Sequence, residues 1–172
     1  MRTDRRAVLV MAGKPWYDAK DPTGKTTTEE VGLRFTCTQC GNCCTGPTGY
    51  VKFTDQEAKA MSKDLGITVG KFIETYTHDT DAGRSLTEGY KRGFGYDCVF
   101  LTRDEHGKSG CSVYKSRPAQ CRTWPFWEGN LYSKGGWERA AKKCPGMNQG
   151  QLHTPALIKV TCEQATISEH DA

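Results

Sequence analysis

The chain is poor in aliphatic and large apolar side chains. Leu, Ile, Val and Phe together supply 26 of 172 residues, about 15% where under roughly 20% is lean for a folded domain. Such a composition often goes with disorder driven by charge repulsion, yet 24 basic residues against 20 acidic ones leave a formal charge of only +4, too little to hold a chain open. Long apolar runs are lacking too. Nothing approaches the 18 or so residues of a membrane helix, which excludes a membrane-spanning role. There is no dense Lys/Arg run interleaved with aromatics, which speaks against nucleic acid as a partner. The basic start at Arg2, Arg5 and Arg6 leads into six apolar residues, Ala7 to Ala12, before Lys14 and Pro15, fewer than a signal-peptide core needs. The expected location is therefore cytoplasmic.

Something other than oil must close this fold, and nine cysteines are available. In a reducing compartment, grouped cysteines hold metal or do redox chemistry more often than they form stable bridges, and an odd count leaves one unpaired. Metal is the leading expectation and a disulfide scaffold the trailing one. The formal charge then needs revision, because metal-bound cysteines are thiolates. Eight thiolates balanced by two divalent ions would bring the holo charge to zero.

Length sets an expectation of one domain. Residues 1–33 carry no sustained period and read as a partly flexible arm, with Trp16 and Tyr17 as the residues that could dock it. Residues 34–150 hold the cysteines and form the expected metal-binding domain; residues 151–172 form a C-terminal helix packed on it, with Thr154 as N-cap and Pro155 in the first turn, running to about Ile167. Within the domain, Tyr50-Val51-Lys52-Phe53 alternates like a strand. Thr54 and Glu57 have the spacing of a capping box, predicting a helix from Asp55 to about Leu65. A second short helix is expected over Val69 to Tyr76. Strands follow at Ser85 to Glu88, Tyr96 to Thr102 and Cys111 to Tyr114, with the polar residues 103–109 as a hairpin tip. Pro118 opens a short helix carrying Cys121, and another is expected from Trp137 to Lys143. The fold class is α+β: a small, irregular single domain of short helices and a β-hairpin organised around cysteine metal sites.

The sharpest chemical signal is Cys37-Thr38-Gln39-Cys40-Gly41-Asn42-Cys43-Cys44, four thiols within eight residues. Two residues between cysteines let both sulfurs face one ion, and a glycine after the second can turn left-handed and free amides toward sulfur. Adjacent cysteines diverge in most backbone conformations, so Cys43 and Cys44 are expected to serve different ions, or one to stay free. Cys98, Cys111, Cys121 and Cys144 each sit at an element end or turn, where loops converge on a point. Cys162 instead shares a helical face with Ile158 and Ala165 and reads as a buried core thiol. Eight candidate ligands suit two tetrahedral sites, or one cluster with a second metal site.

Zinc accounts for tetrathiolate sites in a domain that needs staples. Iron–sulfur ligation, including a 4Fe-4S cluster, accounts for three cysteines spaced by two and a remote Cys144-Pro145. His78, His106, His153 and His170 read as solvent-facing. Arg117 and Arg122 bracket Cys121 and would offset thiolate charge, unless they pair with Asp97 or Glu128. Trp124, Phe126 and Trp127 would shield the metal, and Trp124, Trp127 and Arg122 could present a surface to a protein partner.

The cysteine opening, Asp97-Cys98-Val99-Phe100-Leu101, Gly110-Cys111-Ser112-Val113-Tyr114, Arg117-Pro118 with Cys121-Arg122 and Trp124-Pro125-Phe126, and a late Cys144-Pro145-Gly146 together resemble the YkgJ-type cysteine-cluster family over about residues 35–148. The resemblance implies zinc or iron chelation and no assigned reaction; a related cluster in flagellin lysine methylases is associated with iron–sulfur. Three functions follow as expectations: a metal-binding or redox module, a metal-dependent or iron–sulfur enzyme modifying a protein or small molecule with Asp97, Glu128 or His78 beside the metal, and a structural zinc module for protein–protein interaction.

Overall fold

The computed structural model describes residues 14–18, 31–81 and 83–170, the side chains of 166–170 excepted. Most of the expected arm lies outside the described residues. The piece within them, a 3-10 turn at Trp16–Asp18, does dock: the Trp16 indole N–H donates to the Leu131 carbonyl at 2.7 Å.

The architecture is mixed α+β, six short helices among small antiparallel sheets. In chain order the elements are β1 (Leu33–Phe35), β2 (Thr45–Gly46), α1 (Asp55–Asp64), α2 (Val69–Tyr76), β3 (Thr77–Thr80), β4 (Gly83–Leu86), β5 (Glu88–Lys91), β6 (Gly95–Cys98), β7 (Leu101–Arg103), β8 (Ser109–Cys111), α3 (Ala119–Arg122), α4 (Glu128–Leu131), α5 (Lys134–Ala141), β9 (Met147–His153) and α6 (Pro155–His170). The sheets pair β1 with β9, β3 with β4, β7 with β8, and β2, β6 and β5 side by side. No helix among the described residues is long and apolar enough to cross a membrane.

The sparse apolar residues are divided between two small cores. One gathers Phe53, Ala58, Met61, Phe72, Leu86, Phe100 and Val113 beneath α1 and α2. The other gathers Leu33, Phe126, Leu131, Trp137, Cys144, Met147 and Ile158 around α5, α6 and the β1–β9 pair, with Cys162 packed against it. Ile158 and Ala165 are buried on α6, but Cys162 is only half-buried where a buried core thiol was expected, because it packs on the margin of this core.

The helix α1 forms where its cap predicts. The Glu57 amide donates to Thr54 Oγ1 at 3.2 Å, and Glu57 Oε2 accepts from the Thr54 amide at 2.9 Å. Removing the cap hydroxyl with Thr54→Ala should lower the free energy of unfolding by about 1 kcal/mol, read from the urea midpoint, with metal content unchanged.

Four local expectations are corrected. The stretch Tyr50–Phe53 is not a strand but a single bridge, Lys52 to Ser85. Its backbone is spent elsewhere: Val51 donates to Ser85 Oγ, Lys52 donates to Gln120 Oε1, and the Tyr50 carbonyl accepts from Gln120 Nε2. The expected strand Tyr96 to Thr102 is broken into β6 and β7 by a turn at Val99-Phe100, which sends Phe100 into the first core. The strand expected from Cys111 ends there, as β8. Pro118 stands at the N-cap of α3 rather than inside its first turn.

Candidate metal centre

The cysteine loop begins where β1 ends. The Thr36 amide donates to the Gly146 carbonyl at 3.1 Å, and Asn42 Nδ2 donates to the Lys143 carbonyl at 2.7 Å, so the Cys-Pro-Gly segment is clamped to both ends of the loop. Gly41 takes φ +76°, and a Cβ there would lie 2.5 Å from Ser109 Oγ. Ser109 in turn donates to the Cys40 carbonyl at 3.2 Å. The glycine after the second cysteine is thus needed for both its backbone region and its lack of a side chain. The Cys44 amide donates to Gly41 O at 2.8 Å, closing a turn that leaves Cys43 exposed and Cys44 half-buried.

Opposite this turn lies β6. The Cys98 amide donates to Cys44 O at 2.9 Å, and Thr45 Oγ1 donates to Asp97 Oδ1 at 2.6 Å. Asp97 is buried and also receives the Arg103 guanidinium, Nη1 on Oδ2 and Nη2 on Oδ1 at 3.0 Å. The guanidinium hydrogen bonds, with help from Thr45, hold the Asp97 carboxyl below its ordinary value. Cys111 pairs with Leu101 across the β7–β8 hairpin. Cys121 sits on α3, which Glu57 holds in place: its Oε1 accepts from the Ala119 amide at 2.6 Å and from Arg122 Nη2 at 3.3 Å. The glutamate that closes the α1 capping box therefore also anchors the helix bearing a cysteine.

These segments surround one cavity of about 130 Å3 whose wall includes Cys37, Cys43, Cys44, Cys98, Cys111 and Cys121. Leu86, Phe100 and Val113 of the first core line it, as do Phe35 and Trp124, which pack on the second. The thiols thus lie at the seam between the two cores. All nine cysteines are free. Cys43 Sγ and Cys44 Sγ stand 3.6 Å apart, so the adjacent pair converges where divergence was expected. Sulfurs on one tetrahedral ion with bonds of about 2.3 Å lie roughly 3.8 Å apart, which this pair nearly matches. Among the described residues no group of three or more His, Cys, Asp or Glu side chains stands close enough together to hold a metal ion. The fit rests on donor chemistry: soft thiols in number, suited to zinc or iron.

Two of the eight candidate ligands do not line the cavity. Cys144 is buried in the second core, where Trp124 Nε1 approaches its sulfur at 3.5 Å. Cys40 is half-buried, with its backbone carbonyl accepting from Ser109. The catalytic nominees His78, Glu128 and Asp97 also lie off the cavity wall. His78 and His106 are exposed, while His153 is half-buried against the Phe35 and Phe126 rings, a correction to its expected exposure. The arginine pairings differ as well. Asp97 is taken by Arg103 and Glu57 by Arg122, whereas Arg117 lies over the Tyr114 ring at 3.8 Å and faces the cavity. Sequence reading missed Glu57, Arg103 and Thr45 as supports, since each is ordinary until the chain brings its partner from afar.

Burial dominates the electrostatics of the thiols and pushes Cys98, Cys111 and Cys121 above the ordinary thiol value. The close pair shares a proton: the hydrogen bond from Cys44 pulls Cys43 down, with Arg117 assisting, and the same bond pushes Cys44 up. Burial thus makes Cys98, Cys111 and Cys121 hold their protons more tightly, and metal entry must expel them.

A family model named CxxCxxCC and described as "Putative zinc- or iron-chelating domain" matches residues 36–146, a span that takes in all eight candidate ligands. An uncharacterized protein of Methanocaldococcus jannaschii is 29% identical over 98 residues, 55% of this chain and 46% of that protein. The chain thus spans less than half the length of that relative. No solved structure matches.

Proposed function

Because the chain belongs to the CxxCxxCC family of zinc- or iron-chelating domains, we propose that it chelates zinc or iron in the cysteine-lined cavity and works as a metal or redox module. The observation that carries this reading is that six cysteines from four separate segments, the 37–44 loop, β6, β8 and α3, line one cavity. Such a donor set selects soft or borderline cations over calcium or magnesium. Bound metal would tie the segments together and supply either a closed structural site or a redox-active one.

The protein's own residues prepare the site. Asp97 and Arg103 fix β6 against β7, Glu57 fixes α3 against α1, and Trp124 and Phe100 line the cavity beside the cysteines. Arg117 offsets thiolate charge from the cavity rim.

Elemental analysis and absorption spectra of anaerobically purified protein test the reading. Stoichiometric zinc gives a colourless protein; an iron–sulfur centre gives broad visible absorption with inorganic sulfide. Cys121→Ser should lower metal per chain, while Cys162→Ser should leave it at the wild-type value. Equal metal loss in both variants would sink the assignment of the cavity as the site.

A further inference from the structure

Away from the cysteine cavity, the β5–β6 hairpin presents three large rings to solvent within the stretch Tyr90-Lys91-Arg92-Gly93-Phe94-Gly95-Tyr96. Tyr90 is 67% exposed, Phe94 58% and Tyr96 39%. Tyr90 and Tyr96 stand opposite one another in the register, their ring centroids 5.5 Å apart. On the β2 side Tyr96 faces Gly46, where a side chain would meet nothing, so the row is open beside the ring. A cross-strand pair of rings steadies a hairpin, but that role does not call for Phe94 in solvent. The charge left over at this tip is positive. Lys91 and Arg92 lie between the rings in sequence, and neither makes an ion pair among the described residues. Both carboxylates of the hairpin are engaged: Asp97 is buried on Arg103, and Glu88 accepts from the Thr48 hydroxyl and, at 3.3 Å, from the Gly49 amide. The Arg103 guanidinium also lies 4.4 Å from the Phe94 ring centroid, which holds that ring in place without covering it.

We propose that this hairpin binds single-stranded RNA, with bases stacking on Tyr90, Phe94 and Tyr96 and phosphates pairing with Lys91 and Arg92. Every base has a face that stacks on an aromatic ring, and cations beside the rings hold the backbone. A duplex hides those faces, and two cations are too few to hold its phosphates. An acidic peptide would use the cations and leave three rings idle. The order Arg92-Gly93-Phe94-Gly95-Tyr96 also follows the opening of the RNP1 strand, whose rings stack RNA bases; Asp97 then departs from that pattern, so the likeness is of one strand and not of a fold. Basic residues are few here, which is why charge density in the sequence speaks against nucleic acid. The register of β5 and β6 supplies what density lacks, by setting the rings together at one tip.

Fluorescence anisotropy of short fluorescein-labelled oligouridine and oligoadenosine, titrated with the full chain purified anaerobically, tests the proposal. Both strands should bind, more weakly as salt rises. Phe94→Leu and Tyr90→Leu, which keep apolar bulk and remove the ring, should each weaken binding about fivefold or more. Changing Lys91 and Arg92 together to Ala should lower the slope of log affinity against log salt by about 1.4, at roughly 0.7 per phosphate of a single strand. Tyr132→Leu, which removes an exposed ring just past α4, should bind as the wild type does. Thermal midpoints report whether each variant folds; if Tyr90→Leu loosens the hairpin, Phe94→Leu at the turn carries the comparison. The proposal is overturned if neither strand binds, if Phe94→Leu binds unchanged, or if the matching duplex RNA, the matching deoxyribonucleotide strand or polyglutamate binds as tightly. Metal per chain, measured on the same samples, reads chelation separately from all of these outcomes.

Discussion

Replacing Asp97 with alanine is expected to destabilise the folded protein by about 3 kcal/mol and to loosen its hold on metal. Breaking a buried ion pair from one side costs about 3–5 kcal/mol because the surviving charge is left unpaired. The low end applies here because Arg103 keeps a quarter of its side chain in water, 24% exposed against 7% for Asp97. The position of the pair makes the loss local to the site. Asp97 precedes Cys98, accepts from Thr45 beside Cys44, and holds Arg103 two residues beyond Leu101, the partner of Cys111. Urea titration of Asp97→Ala should show the lower stability, and the rate of zinc transfer to a chromophoric chelator should rise. The pH dependence has a fixed sign. The folded carboxyl titrates below its unfolded value of about 3.9, so its contribution is full above that pH and is lost as pH falls through the folded value. Asp97→Asn should therefore flatten the acid limb of the wild-type stability profile below about pH 4.

The parts of the fold legible in the sequence are those fixed by neighbours in the chain. Thr54 and Glu57 cap α1 because both partners lie within one turn, and α2 follows from the helical spacing of Phe72, Ile73 and Tyr76. The β1–β9 pair was not legible. Met147–His153 is polar, shows no alternation, and passes through left-handed backbone at Asn148 and Gly150. It becomes a strand through tertiary bonds: Arg34 Nη1 donates to Gly150 O, and Thr36 Oγ1 accepts from the Gln151 amide. The same division holds for the site. Spacing singles out eight cysteines, but whether a sulfur faces the cavity depends on long-range docking. Gly146 brings the Cys144 segment onto Thr36 so closely that a Cβ there would sit 2.3 Å from the Thr36 carbonyl oxygen, and Cys144 lies in the second core rather than on the cavity wall. The adjacent pair Cys43 and Cys44 converges because the Gly41 turn and the Cys98 amide fix the backbone between them.

Stripping the bound metal should have the largest effect of any single change. Each core holds only seven buried residues, too few for much independent stability in a chain this lean in aliphatic side chains. The cysteine cavity is walled from both, so metal held by its thiolates would tie the first core, through Cys98 and Cys111, to the loop that leads out of β1. Structural zinc in small domains contributes on the order of 10 kcal/mol at neutral pH, a scale that exceeds or equals the whole stability of an ordinary domain. A strong chelator with reductant should therefore abolish the cooperative thermal transition and expose Trp124 to solvent, read as a red shift in tryptophan emission. Adding zinc back should restore both. The sign with pH follows from burial: the thiols of Cys98, Cys111 and Cys121 titrate above the ordinary value when no cation is present, so protons compete with metal increasingly as pH falls, and the chelator concentration needed for unfolding should drop with each step toward acid. A chelated protein that keeps its thermal midpoint and its emission would show that the two cores stand without the centre.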